Sequence, residues 1–321
     1  MNNTALHRSG VPTTDRRKNA TLRKIVRHRY LYMMLAPAAI LVFLFNYVTL
    51  FGWVIAFKDY RVGQNLWSGE WTGFKQFTAF LTQSSDYAYL IRNTLVMNFS
   101  MIIVNLAFAV AFAVLINELR SKAFARIVQT VSFFPFFISW VIVYSLAHAL
   151  FAVSTGAVNE TLVSAGWLER GINLLGDEKY AWGLIIFMSL WKTLGYNGVI
   201  FIAAISGISP DEYEAADIDG ASRWQKIIYV TLPNLMPTFL VLLIMNSGWI
   251  LNSNFDMYYL FTNATNWGKM EVLDMYIYKY GLQMGNYPYA TAVGILKTAV
   301  SLLILIGVNQ LSKRFSGRTI L

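Results

Sequence analysis

Six stretches of this 321-residue chain are each apolar for about twenty residues, and no other feature limits its fold so strongly. A helix needs roughly 20 such residues to cross a hydrocarbon core of about 30 Å. The stretches cover residues 30–57, 95–116, 127–151, 181–208, 237–255 and 290–311. The fifth is the least uniform, because Asn246, Ser247, Gly248, Asn252 and Asn254 interrupt it. The first is much longer than the apolar run of about 7–15 residues in a cleaved signal peptide, and it reads as an uncleaved anchor. Composition agrees. Only 13% of residues are charged, against about a quarter in soluble proteins. The expected fold is all-α: a polytopic membrane protein built as a six-transmembrane-helix bundle. A basic tail over residues 1–29, loosely ordered up to residue 21, precedes a membrane domain over 30–321.

Positive charge sets the expected orientation. Of 26 Lys and Arg, sixteen fall on the side that carries both termini and eight on the other. Both termini are therefore expected in the cytoplasm. The net charge of +9 then lies against anionic inner-leaflet lipid, which explains it without nucleic acid. There are no cysteines, and His7, His28 and His148 do not cluster, so no metal site is expected. The chain carries no phosphate-binding G-x-x-x-x-G-K-[ST] loop, no paired carboxylates in a span and no triad. It is not expected to be an enzyme alone, and it offers no catalytic residue.

The loop at 209–237 is chemically specific. Ser209 is an N-cap candidate, Pro210 suits the first helical position, and Glu212 completes a capping box. Gly220 can leave the helix in a left-handed conformation. Ser222 and Gln225 form a second capping box, and Pro233 is expected to end the element. The spacing predicts two short helices hinged at Gly220, one acidic and one amphipathic. Asp211, Glu212, Glu214, Asp217 and Asp219 suit an anionic lipid surface poorly and a basic protein partner well.

The string EAADIDGASRWQKIIYVTLP resembles the EAA signature of binding-protein-dependent ABC importer permeases. Glu214, Ala215 and Ala216 match the triplet, Asp219, Gly220 and Ala221 the DGA that follows, and Leu232 and Pro233 the closing LP. Ile227 and Val230 stand where the family usually has Phe and Ile. The resemblance runs from about residue 30 to 311. It is closest to the sugar-importer branch, through ILNSNFDMYYLFTN and NYPYATAVGIL, and within it to the first permease of heterodimeric pairs that move oligosaccharides or polysaccharide fragments, alginate importers among them. The resemblance implies a bacterial inner-membrane permease, with a second permease, two ATPase subunits that hold ATP and Mg, and an extracellular or periplasmic solute-binding protein as partners. The chain itself would bind no cofactor. The loop would dock into the ATPase, with Glu214 as a charge-assisted contact. Trp224, Ile227 and Ile228 would either fill the ATPase cleft or pack against the permease's own spans.

Polar residues inside spans are the candidates for a solute path. Asn246, Asn252, Asn254 and Asp256 lie beside Trp249, and Tyr196 and Asn197 beside the interruption at Gly195 and Gly198. Hydrogen-bonding side chains next to aromatic faces suit a saccharide, although Asn and Ser also join helices in membrane bundles. Lys192 and Lys297 lie roughly 10–17 Å inside their spans by helical rise. Each either pairs structurally, with Asp256 or a partner permease, or favours an acidic, uronate-containing saccharide. The outer loops 58–93, 152–180 and 256–289 are candidate docking surfaces for the binding protein, while Trp67, Trp71 and Trp167 suit the interfacial belt. The competing readings are a permease for another solute, an ATP-independent secondary transporter and a membrane-bound glycan-processing enzyme.

Overall fold

The computed structural model describes residues 27–65 and 67–316. The expected basic tail up to residue 26 and the last five residues lie outside them. The chain divides into two units between Val54 and Ile55.

The first unit carries most of the first span, Arg29–Phe57, whose mean hydropathy is 2.2. It begins as an α-helix, Arg29–Val42, widens to a π turn at Phe43–Tyr47 and tightens to a 3-10 helix at Val48–Phe57. No residue of the α-helical part is buried. A helix that is apolar on all sides belongs in hydrocarbon. Its polar residues turn back on their own backbone: Asn46 donates to the Val42 carbonyl at 3.1 Å and Thr49 to that of Phe45 at 2.8 Å.

In the second unit the spans are Tyr87–Asn117, a bent pair at Lys122–Phe137 and Trp140–Phe151, Glu178–Ser206, Arg223–Ser247 and Tyr287–Gln310. The second and fourth lie side by side because small residues let them. A Cβ on Gly198 would come within 2.5 Å of the Phe112 ring, and one on Gly195 within 2.2 Å of the Ser132 carbonyl of the third span. Leu106, Ala109 and Ala113 pack with Phe201, Ile205 and Leu235 in one buried cluster.

Several expectations about these elements need correction. The third stretch is not one straight span but bends by 106°. Pro135 lacks the N–H that a helix interior needs. The chain passes through a 3-10 turn at Phe134–Phe137, Ile138 is extended, and Ser139 caps a new helix by accepting from Ile142 N. The fifth helix is displaced toward the N-terminus. It ends at Ser247, where Gly248 begins a turn, so Asn252 and Asn254 lie beyond it. Pro233 does not end an element, because the π turn Ile227–Thr231 leads directly into the helix Leu232–Ser247 and places the proline in its first turn. The π turn just before it shifts the hydrogen-bond ladder and so accommodates the missing donor within the continuous helix Arg223–Ser247.

A further correction concerns 256–289, which is not an open outer loop. Its helices Phe255–Phe261 and Leu273–Tyr278 fold back into the bundle. Met257, Tyr258, Phe261 and Met275 share a core cluster with Met97, Trp140 and Ile185. Glu271, with 0% of its surface exposed, accepts from Tyr89 Oη at 2.5 Å, Trp267 Nε1 at 2.9 Å and Lys279 Nζ at 3.4 Å. Burial pushes the Tyr276 phenol well above its ordinary range, so it serves as a neutral group that shares a hydrogen bond with the Tyr289 hydroxyl at 2.9 Å.

Candidate functional site

A polar cavity of about 300 Å³ lies where two interrupted helices face each other. From the third-span break come Phe136 and Trp140, and from the end of the fifth helix Asn246, Trp249, Asn252 and Asn254. The fourth span adds Ser189, Thr193, Tyr196 and Asn197, and the second adds Asn98 and Asn105. Broken helices inside a membrane are tolerated where the freed backbone is buried in protein or faces a polar cavity, and such breaks frame solute sites in transporters.

Each break is held by side chains. At the fifth-span end, Asn98 Nδ2 donates to the Ile250 carbonyl at 2.8 Å and to Ser253 Oγ at 3.0 Å. The Ser253 backbone N–H donates to Asp274 Oδ2 at 2.7 Å, and Asp274 is ion-paired with Lys297. At the third-span break, Lys192 Nζ donates to the carbonyls of Pro135, Phe136 and Ile138.

The structure therefore brings Tyr196, Asn197, Asn246, Trp249, Asn252 and Asn254 together on one wall, and leaves Lys192, Asp256 and Lys297 off it. The expected partnership with Asp256 is corrected. Lys297 pairs with Asp274, Lys192 is held by backbone carbonyls, and Asp256 is exposed and forms no ion pair among the described residues. Asp274 lies within the outer segment, which only its folding-back brings to the sixth span.

Sequence reasoning missed Asn98, Asn105, Ser189, Thr193, Phe136 and Trp140. A helical-spacing signal was present for four of them. Asn98 and Asn105 are seven apart, and Ser189, Thr193 and Asn197 are four apart, which puts each set on one face. The wall offers both hydrogen-bonding and stacking surface. Asn105 Nδ2 donates to Ser189 Oγ at 3.2 Å, while its buried Oδ1 has no donor among the described residues. Phe136 and Tyr196 stack at 4.1 Å with 7° between their planes. A neighbouring cavity of about 450 Å³ between the fifth and sixth spans shares Trp249 and Asn252, and half of its remaining lining is Ile244, Met245, Leu302 and Leu305.

The 209–237 loop is the second candidate region. Its helices are Pro210–Ile218 and Arg223–Lys226. Between them Gly220 has φ +73°, and the Ala221 N–H reaches back to the Ala216 carbonyl at 2.9 Å, the bond that closes a helix behind a left-handed residue. The second capping box forms in both directions. The first does not: Ser209 accepts from Asp211 N, and the Glu212 carboxylate accepts from Asn234 Nδ2 at 2.7 Å. Lys226 and Asp217 join the two helices at 2.6 Å, and the Tyr213 and Thr231 hydroxyls bond at 3.0 Å. Glu214, Ala215 and Ala216 lie on the first helix, Asp219 caps it, and Leu232 and Pro233 open the long helix. Ile227 packs with the cluster of the second and fourth spans. Trp224 and Ile228, by contrast, are 73% and 51% exposed, beside Ile218 at 86%. The two alternatives for these three residues thus divide: Ile227 anchors the loop inward, and Trp224 and Ile228 face out.

Known proteins share this chain's sequence and fold. Residues 104–317 match the family described as binding-protein-dependent transport system inner membrane component. The polygalacturonan/rhamnogalacturonan transport system permease protein YteP of Bacillus subtilis (strain 168) is 38% identical, over 93% of this chain and 92% of its own. Protein LplB of the same organism is 35% identical, over 90% of each. A crystal structure of a bacterial ABC transporter involved in the import of the acidic polysaccharide alginate contains a chain that superposes with a TM-score of 0.84 at 34% identity, covering 92% of this chain and 99% of that one. The same likeness holds for the bacterial alginate ABC transporter in complex with alginate pentasaccharide-bound periplasmic protein, with a TM-score of 0.83. The chain belongs to the family of binding-protein-dependent transport system inner membrane components.

Proposed function

We propose that this permease carries oligosaccharide or polysaccharide fragments, uronate-containing ones among them, inward across a bacterial cytoplasmic membrane by alternating access. The observation that carries the reading is the polar cavity between the two helix breaks. Its asparagines supply paired donors and acceptors, and its aromatic faces supply stacking area, the combination that sugar hydroxyls and C–H faces require. The Asn105 oxygen, without a donor among the described residues, is an acceptor that a sugar hydroxyl satisfies, and leaving it unmet costs about 1–3 kcal/mol. The named solutes of the relatives, polygalacturonan, rhamnogalacturonan and alginate, support an acidic cargo.

Transport is driven by ATP and Mg held on two separate ATPase subunits. The exposed face of Glu214, Trp224 and Ile228 docks on them, both termini lie in the cytoplasm, a second permease supplies the facing half of the path, and a solute-binding protein delivers the saccharide outside. The test is ATP hydrolysis by the reconstituted complex against neutral and acidic oligosaccharides on their binding proteins. Asn105→Leu together with Asn252→Leu is expected to raise the half-saturating saccharide concentration at least about tenfold while basal hydrolysis stays unchanged. Unchanged half-saturation removes the cavity from the path.

A further inference from the structure

We infer that Lys192 is a positioning residue that clamps the break of the third span and so fixes the aromatic wall of the saccharide path. The inference rests on the reading of the cavity proposed above. A lysine ammonium has three N–H donors and no acceptor. All three are committed, to the carbonyls of Pro135 at 3.2 Å, Phe136 at 2.8 Å and Ile138. These carbonyls sit where the helical ladder is interrupted. A helix end leaves carbonyls without partners, and hydrocarbon provides no water to replace them. A charged donor gives stronger bonds than a neutral one. The ion pairs among the described residues are Lys226 with Asp217, Lys279 with Glu271 and Lys297 with Asp274. Lys192 is in none of them, so its contacts are with a piece of backbone geometry rather than with a counter-charge.

That geometry carries the wall. Phe136 stands just before the break, and Trp140 opens the helix after it. Both line the cavity. Phe136 in turn stacks on Tyr196, one helical turn beyond Lys192 on the fourth span. Gly195, between them, lets the fourth span approach the Ser132 carbonyl so closely that no Cβ fits. One short piece of the fourth span therefore sets the backbone approach, bonds the break and stacks on the ring that the break presents. The Pro135 carbonyl also accepts from the Ile138 N–H at 3.2 Å, so without the ammonium the bend of 106° leaves the Phe136 and Ile138 carbonyls unbonded, and its two halves relax.

The absence of cysteine makes a direct test available. A single Ile102→Cys, on the second-span side of the cavity, is labelled with a small uncharged maleimide in the complete complex with its ATPase, second permease and binding protein, with trigalacturonate as the saccharide probe. With Lys192 present, trigalacturonate is expected to slow labelling severalfold. Lys192→Met is expected to change the labelling rate severalfold. It is also expected to raise the half-saturating trigalacturonate concentration about tenfold, with the maximal stimulated hydrolysis within about twofold of the parent. Lys192→Gln keeps two donors and no charge, so it falls between them and serves if the Met variant does not assemble. An assembled variant with parental labelling and half-saturation overturns the clamp. So does a fall in maximal rate alone, which is the mark of general damage. If trigalacturonate gives no protection even with Lys192 present, the path reading fails and the clamp with it. Protection without any Lys192 effect overturns the clamp only.

Discussion

Replacing Gly195 by Ala tests the packing on which the site depends. Its Cβ would stand 2.2 Å from the Ser132 carbonyl oxygen, 2.3 Å from its carbon and 2.5 Å from the Phe133 nitrogen. All three are backbone atoms within a helix, so no side-chain rotation relieves the contact. The spans must separate by about 1 Å to restore a normal contact. Overpacking of this kind costs about 1–3 kcal/mol, and the roughly 1 kcal/mol by which Ala outranks Gly in a helix offsets part of it. A Cβ on Gly183, in the same helix, would meet nothing within 4 Å, so Gly183→Ala keeps only the propensity gain. Thermal unfolding of the detergent-solubilised complex, followed by tryptophan fluorescence, is expected to rank Gly183→Ala above the parent and Gly195→Ala below it by a few degrees. Gly195→Ala is also expected to weaken saccharide half-saturation, because Ser132 and Phe133 lead into the turn that presents Phe136. A Gly195→Ala complex as stable as Gly183→Ala refutes the claim that the third and fourth spans meet backbone to backbone.

Gly220→Ala meets no atom within 4 Å but forces φ +73° on a Cβ, a local strain of about 1–2 kcal/mol. Saccharide-stimulated hydrolysis is expected to fall while the unfolding temperature of the bundle stays nearly unchanged. Glu271→Gln removes a fully buried carboxylate that Tyr89, Trp267 and Lys279 share. A loss of about 3 kcal/mol in unfolding measurements is expected, because Lys279 is left without its partner. Asp217→Asn breaks a pair whose carboxylate is 60% exposed, and the same measurement is expected to move by less than about 1 kcal/mol.

The sequence made some of this legible and hid the rest, for physical reasons. The membrane crossings could be read because the bilayer imposes a fixed apolar length, and the first, expected at 30–57, forms at Arg29–Phe57. The hinge at Gly220 and the box at Ser222 could be read because capping is local chemistry. The break at Ile138 was marked only by Pro135 and the cap Ser139, because FFPFFI keeps the hydropathy high and hydropathy does not register a bend. The partners of Lys192 were hidden because backbone carbonyls have no sequence signature. Asp274 was hidden as the partner of Lys297 because it belongs to a segment that looks like an external loop until it folds inward. Six asparagine and aromatic positions on the cavity wall were found by the rule that polarity inside a span is functional. Asn98, Asn105, Ser189 and Thr193 needed helical spacing applied to the second and fourth spans together, and Phe136 and Trp140 join the wall only through the bend of the third span.

The most direct test of an ATP-driven saccharide permease is uptake of trigalacturonate into proteoliposomes that contain this chain with its second permease and ATPase, with ATP and Mg inside and loaded binding protein outside. The expected result is accumulation that requires ATP, and that is lost with Glu214→Lys, a reversal of charge on the exposed helix of the 209–237 loop. ATP-independent equilibration, or full ATP-driven uptake by the Glu214→Lys complex, contradicts it.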